Sequence, residues 1–326
     1  TPLDPLAYRE LSRIYEIEGQ TSSAIIVLKD FLDSHPEQIE LRKEYARLLL
    51  RAGRVDDAEK AYQLLLLDAP YDSEAWAEYA DLSASRQNFK EALRAYQEEL
   101  DLDPSNVQDR LEMVGILNKQ GQKQEAHQEL EIAKGISGDN PDPWAFSAYL
   151  YLQEGNLAKA REEYLGLLQI DPKSEQAFYN LGLIEMEQKN WSEAQNWFSK
   201  IPANSNLYQN AQARIIWLNY DQGKKESAIK EARSLVQTHP GKKPFWLILV
   251  EIYQKEERYE DAKQTLEDAL KHIPEDPDLF YSLAMNYSLM GDNQKALEFA
   301  QVALAKKPDD PGLLNFIGYT LSLIHI

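Results

Sequence analysis

Alanine returns every thirty-four residues along this chain: Ala24, Ala58, Ala92, Ala126, Ala160, Ala194, Ala228, Ala262 and Ala296. These places define blocks that start at Pro5, Ile39, Ser73, Val107, Pro141, Glu175, Gln209, Lys243 and Pro277, with no insertion between Pro5 and Asp310. A strict period of this length means stacked copies of one supersecondary unit, because a unit this small cannot bury its apolar face alone. Two more columns punctuate the register. Position thirty-two is Pro36, Pro70, Pro104, Pro172, Pro240, Pro274 and Pro308, with Gly138 and Asn206 as exceptions. Position fifteen is Gly19, Gly53, Gly121, Gly155, Gly223 and Gly291, where the end of a helix calls for a positive φ.

The block Ser73–Asn106 shows what the unit is. Trp76, Tyr79, Ala80 and Ser83 follow the spacing of one helical face, and Ala92, Tyr96, Glu99 and Leu100 do so again after a polar break at Arg86-Gln87-Asn88. Asp103-Pro104 stops the second helix. Each block is therefore two helices, A then B, and the chain is all-α.

The columns resemble the tetratricopeptide repeat (TPR). That pattern has a large residue at position four, Leu-Gly or similar at seven and eight, alanine at twenty, an aromatic at twenty-four and proline at thirty-two. Leu181-Gly182 and Ile317-Gly318 carry the seven-eight pair, and Trp76, Trp144, Phe178, Trp246 and Phe280 fill position four. The resemblance implies antiparallel helix pairs in a right-handed superhelix, a TPR solenoid with a concave groove lined by A helices. It covers nine full repeats, residues 5–310, and the first helix of a tenth at 311–320. Small residues at eight and twenty agree with close helix approach on physical grounds alone.

Two junctions depart from the pattern. Pro202 lies inside the expected B helix of the sixth block and should end that helix early. The seventh block has Gln212 at position four and Ile216 at eight, so its packing should differ locally. Gly135–Asn140 should form a looser turn. Both ends read as cut: residues 1–4, with Pro2 where an earlier block's proline would fall, look like the tail of a preceding repeat or a linker. Residues 321–326, Leu-Ser-Leu-Ile-His-Ile, read as a non-native tail translated from a sequencing adapter, and carry no functional weight.

Composition narrows the function. The net charge of −19 and mean hydropathy of −0.55 suit a folded, soluble protein and work against generic nucleic-acid or anionic-membrane binding. There is no cysteine, hence no disulfide, thiolate metal site or cysteine nucleophile. No apolar run reaches membrane-spanning length. His35, His127, His239, His272 and His325 are spread along the repeats, and no metalloprotease, hydrolase-elbow or nucleotide-loop motif occurs. No cofactor or metal is expected.

Two groove surfaces stand out at A-helix positions two, five, nine, twelve and thirteen, the groove-facing places that the resemblance implies. The first blocks carry a basic strip, Arg9, Arg13, Lys43, Arg47 and Arg51. It reads either as surface charge paired with Glu16, Glu40 and Glu44 or as a cradle for an acidic peptide or C-terminal carboxylate. It does not match the carboxylate clamp of chaperone-binding TPR domains, whose places here hold Arg9, Arg13 and Glu44. From the fifth block on, the same positions turn apolar: Tyr149, Leu152, Tyr179, Leu183, Met186, Trp217, Tyr220, Leu247, Tyr281 and Met285. These read either as core, with Trp217 filling in for the weak position four of its block, or as a groove for a peptide or helix of a partner protein.

The expected function is a non-enzymatic protein-interaction scaffold. Leu313–Thr320 resembles a segment common in long bacterial TPR proteins, many of them envelope-associated, which points towards assembly or secretion. Compartment stays open between a bacterial cell envelope and the cytoplasm. The alternatives are the adaptor portion of a larger enzyme, such as a glycosyltransferase, or a structural self-associating module.

Overall fold

The structure, a computed structural model, describes residues 4–325, with side chains through residue 324. Pro2 and Ile326, whose roles are anticipated above, lie outside the described residues. Among these residues the chain forms nineteen α-helices and no strand, falling into two compact units that divide after Pro172. The first unit holds α1 (Pro5–Ile17), α2 (Thr21–Ser34), α3 (Ile39–Arg51), α4 (Val55–Asp68), α5 (Ser73–Ser85), α6 (Phe89–Leu102), α7 (Val107–Lys119), α8 (Lys123–Ile136), α9 (Asp142–Gln153) and α10 (Leu157–Ile170). The second holds α11 (Glu175–Glu187), α12 (Trp191–Ser199), α13 (Tyr208–Asp221), α14 (Lys225–Thr238), α15 (Lys243–Lys255), α16 (Tyr259–His272), α17 (Pro277–Leu289), α18 (Asn293–Lys306) and α19 (Pro311–His325). Odd-numbered helices are the A helices and even-numbered ones the B helices. Residues 321–325 continue α19 without a break.

Local chemistry sets the helix ends. Asp4, Asp72, Asn106, Ser174, Asp276 and Asp310 accept hydrogen bonds from first-turn amides of their A helices, satisfying donors that have no partner within the helix. The A helices α1 to α17 then each end in a left-handed residue at position fifteen. The six glycines there have φ between 72° and 82°, and Gln87, Lys189 and Glu257 adopt 61°, 63° and 55° at the same place. The capping bonds are the same with or without glycine. Gly53 N–H donates to Leu50 O and Arg54 N–H to Leu49 O, both at 2.9 Å; Gln87 and Asn88 repeat this with Ala84 and Ser83.

Packing explains the alanine column. All nine alanines at position twenty have no exposed surface, so no larger side chain fits there without moving a helix. Positions eight and twenty-four, also buried, trade size in several of the pairs. Gly182 accompanies Phe198, Ala46 accompanies Tyr62 and Ala80 accompanies Tyr96, whereas Ile216 accompanies Ala232. The seventh block thus keeps its volume with the large and small partners exchanged.

Position four has a second partner that the pattern alone does not reveal. Trp76 Nε1 donates to Pro70 O at 2.9 Å and Trp246 Nε1 to Pro240 O at 2.8 Å. Each indole thereby satisfies the carbonyl of the proline that closed the preceding block. In the fourth block Arg110 takes this role, reaching Pro104 O at 3.3 Å while pairing with Glu129.

Pro202 acts as expected. The helix before it, α12, stops at Ser199 after nine residues. Ile201 then folds back, buried with Phe198, Ala211, Ile215 and Leu218. Without the proline, α8 still ends at Ile136, the register place where α4 and α6 end, and only α9 changes, starting one residue late at Asp142.

Candidate functional site

In the first unit the basic strip lies on α1 and α3 and is neutralised from within. Arg9 Nη2 is 2.6 Å from Glu44, Arg13 Nη1 3.3 Å from Glu10, and Arg51 Nη2 2.8 Å from Glu16. Arg47 reaches Glu78 at 2.6 Å and Glu74 at 2.7 Å. Lys43 Nζ lies 3.0 Å from each of Glu40, Asp72 and Glu74, with its side chain only 6% exposed. Burial pushes the Lys43 pKa down, but its hydrogen bonds to Glu74, Asp72 and Glu40 outweigh this and hold it above the usual lysine value. Of the two readings of this strip, the contacts favour paired surface charge over a cradle for an acidic peptide. All five cations already face carboxylates, most of them on a neighbouring A helix, and an incoming acid would have to displace one of these.

A second polar cluster lies where α5, α6 and α7 meet. Glu99 is buried, with Oε1 accepting from Ser73 Oγ at 3.2 Å and Asn106 Nδ2 at 3.0 Å, while Oε2 has no partner. Asp109 Oδ2 is likewise buried without one. Burial, reinforced by the charges of Glu99, Asp81, Glu112 and Asp103, raises the Asp109 pKa to about 6. Sequence reasoning put Glu99 on the packed face of its helix but missed the cluster, because nothing in the pattern links it to Ser73, Asn106 and Asp109.

The apolar groove positions divide between the units. Tyr149 and Leu152 are on α9 of the first, where the exposed Tyr149 hydroxyl accepts from Gln153 Nε2 at 2.5 Å. The other eight are on α11, α13, α15 and α17 of the second. Of the ten, Tyr149 and Met285 are exposed and the rest half-buried, with Tyr179, Leu183, Met186, Trp217, Tyr220 and Leu247 packed against the buried core. Trp217 and Tyr220 meet edge-to-face at 5.4 Å, with Lys255 over the indole and Lys225 over the phenol, each 5.7 Å from the ring centre. The Tyr220 hydroxyl donates to Glu256 at 2.6 Å, and that bond, with some burial, pushes its pKa up to about 12. Tyr179 packs edge-on against Phe198 at 5.6 Å, and Tyr281 against Phe316 at 5.5 Å.

Trp217 packs partly buried against the core of the second unit. Tyr208, also partly buried there, lies 5.7 Å from His239 and 6.4 Å from Phe245. In the first block Tyr8, at position four, packs on Phe31 at 4.4 Å, and Phe31 in turn stacks on His35. Tyr208 lies just before its block, and the short α12 lets α13 start one residue early and bring it in. The four histidines whose side chains are described all rest against aromatic rings: His35 on Phe31, His127 on Tyr151, His239 beside Phe245 and His272 on Trp246.

The repeat signature is matched by known families. Residues 151–215, 220–285 and 254–317, together half of the chain, match a model described as Tetratricopeptide repeat. The chain belongs to the tetratricopeptide repeat family. Residues 8–164 of this TPR chain also match the Cilia and flagella-associated protein 70 middle TPR-like domain. TPR repeat-containing protein YpiA of Bacillus subtilis is 23% identical over 323 residues, which cover 96% of this chain and 66% of YpiA. TPR repeat-containing protein PA4667 of Pseudomonas aeruginosa is 26% identical over 152 residues, 45% of this chain and 25% of that protein. The TPR array thus spans less than two thirds of the length of these relatives. Its fold is also that of the solved C-terminal part of a TPR repeat-containing protein from Cytophaga hutchinsonii. The TM-score is 0.51 at 16% identity, over 84% of this chain and 98% of that one.

As a TPR array, the chain has the fold of a protein-interaction scaffold. In this TPR protein two places of the chaperone-binding clamp, at Arg9 and Glu44, hold an internal ion pair. Among the described residues no TPR helix is long and apolar enough to cross a membrane, and no three acidic or histidine side chains are placed to hold a metal ion.

Proposed function

We propose that the second unit of this TPR scaffold captures an apolar segment of a partner protein on the surface formed by α11, α13, α15 and α17. One observation carries the reading. Eight apolar or aromatic side chains, Tyr179, Leu183, Met186, Trp217, Tyr220, Leu247, Tyr281 and Met285, keep exposed surface on these four helices, although the first six also pack against the buried core. Half-exposed tryptophan, tyrosine and methionine are the residue types that carry most energy at protein interfaces. The repeats supply a preformed surface, so only the partner segment loses freedom on binding. The protein acts by binding and not by catalysis.

The test is selection of short displayed peptides on the whole chain, followed by affinity measurement with Trp217→Ala and Tyr179→Ala. Loss of either side chain should weaken binding by about thirtyfold, the scale of an interface hot spot, with the far-UV circular dichroism of both variants unchanged. Trp217→Ala is the cleaner variant, because Tyr179 also supports Phe198. Equal binding by wild type and both variants removes the proposal.

A further inference from the structure

Beside the groove of the second unit is a cleft of about 310 Å³ lined by Met186, Glu187, Trp191, Leu218, Asp221 and Gln222. Its parts come from three helix ends. Met186 and Glu187 close α11, Trp191 opens α12, and Leu218 and Asp221 belong to the last turn of α13, with Gln222 as its cap. Trp191 is 37% exposed, and no other tryptophan is among the exposed large apolar residues. No lysine or arginine among the described residues stands over its ring, although Trp76, Trp144, Trp197 and Trp217 each have one.

The two carboxylates are equally unattended. Glu187 and Asp221 are exposed, and no basic side chain lies within 4.0 Å of either among the described residues. The nearby Lys224 instead donates to Gln222 Oε1 at 2.9 Å. This contrasts with the first unit, where groove-side charges are matched in place. Each A helix ends on a single residue at position thirteen, and here two successive ones are acidic and flank an apolar floor.

Resting on the groove reading above, we infer that this cleft receives a basic side chain, arginine above all, from the captured segment. Met186 and Leu218 would take its aliphatic stem, the face of Trp191 its planar cation, and Glu187 and Asp221 its N–H donors. Since Met186 also belongs to the groove, one segment can place apolar residues along Trp217 and Tyr220 and a basic residue in the cleft. The partner is thus an apolar segment with a basic anchor, a chemistry opposite to that of the acidic tails held by the chaperone-binding clamp.

The experiment uses the displayed peptides whose binding depends on Trp217, the whole chain, and the double variant Glu187→Gln/Asp221→Asn. Both substituted side chains are exposed, and retained circular dichroism establishes that the variant folds. The expected result is that these peptides contain arginine or lysine. Changing that residue to alanine should weaken binding to wild type about tenfold and to the double variant by under about twofold. Trp217-dependent peptides without a basic residue, or an equal loss on both proteins, would overturn the inference while leaving the groove reading intact. If no selected peptide depends on Trp217, the groove reading fails first.

Discussion

Gly182 and Phe198 are in direct contact across the sixth helix pair: a Cβ built on Gly182 would lie 2.6 Å from Phe198 Cε1 and 2.7 Å from Cζ. The ring is fully buried and has no free direction in which to retreat. Gly182→Ala should therefore cost about 1–3 kcal/mol as an overpacked core, seen as a lower melting midpoint by circular dichroism. Gly318 holds the same register position in α19 but meets nothing within 4 Å. Gly318→Ala should instead slow amide exchange in α19, stabilising that helix by about 0.5–1 kcal/mol. The same shift for both variants would contradict the contact.

The exchange of sizes in the seventh block makes a coupled pair. Ile216→Ala should cost about 2–4 kcal/mol by leaving a cavity, and Ala232→Leu about 1–3 kcal/mol by overpacking. Combined, they give the small-with-large arrangement seen at Ala46 with Tyr62 and Ala80 with Tyr96, so the double variant should lose less than the sum by about 1–2 kcal/mol. Strict additivity in denaturant titrations would show that the two positions do not share one space.

Gln87, Lys189 and Glu257 take the left-handed conformation that six blocks assign to glycine. A side chain there clashes with its own carbonyl. Replacing any of the three by glycine should stabilise the chain by about 0.5–1 kcal/mol, after the entropy that glycine loses on folding is set against the relieved strain. Gln188→Gly, one residue before Lys189 at φ −82°, relieves nothing and should destabilise. Thermal melts of the four variants, run side by side, check the sign of each.

The raised pKa of Asp109 sets a pH dependence. Its stabilising protonated form is fully present below the unfolded value near 4. Between there and about 6 the folded state holds the proton more tightly, so this contribution is lost as pH rises through about 6. Asp109→Asn, which cannot ionise, should melt higher than wild type at pH 7.5. The gain should be about 1 kcal/mol once solvent screening of a half-exposed carboxylate is allowed for, and it should vanish below pH 4. Groups with lowered pKa, such as Glu74 and Asp278, act equally in both proteins and cancel in the difference. A gap that widens on acidification would reverse the sign and refute the account.

The linear order of residues determined the architecture. A thirty-four-residue period with alanine at twenty, proline near thirty-two and a left-handed turn at fifteen leaves little besides paired helices stacked in series. Each constraint is local, a cap, a breaker or a steric limit, and can be read without knowing what lies opposite. Tertiary structure decided which exposed chemistry is available. Whether Arg47 is a free cation depends on Glu74 and Glu78 one repeat away, and how far Trp217 is covered depends on Tyr220 beside it and Lys255 one repeat away. Phe89 and Tyr259 share the register position of Trp191, so nothing in the linear pattern marks the last as exposed beside two unpaired carboxylates. Burial and charge pairing are sums over neighbours from several helices, and those neighbours are assigned only when the helices pack.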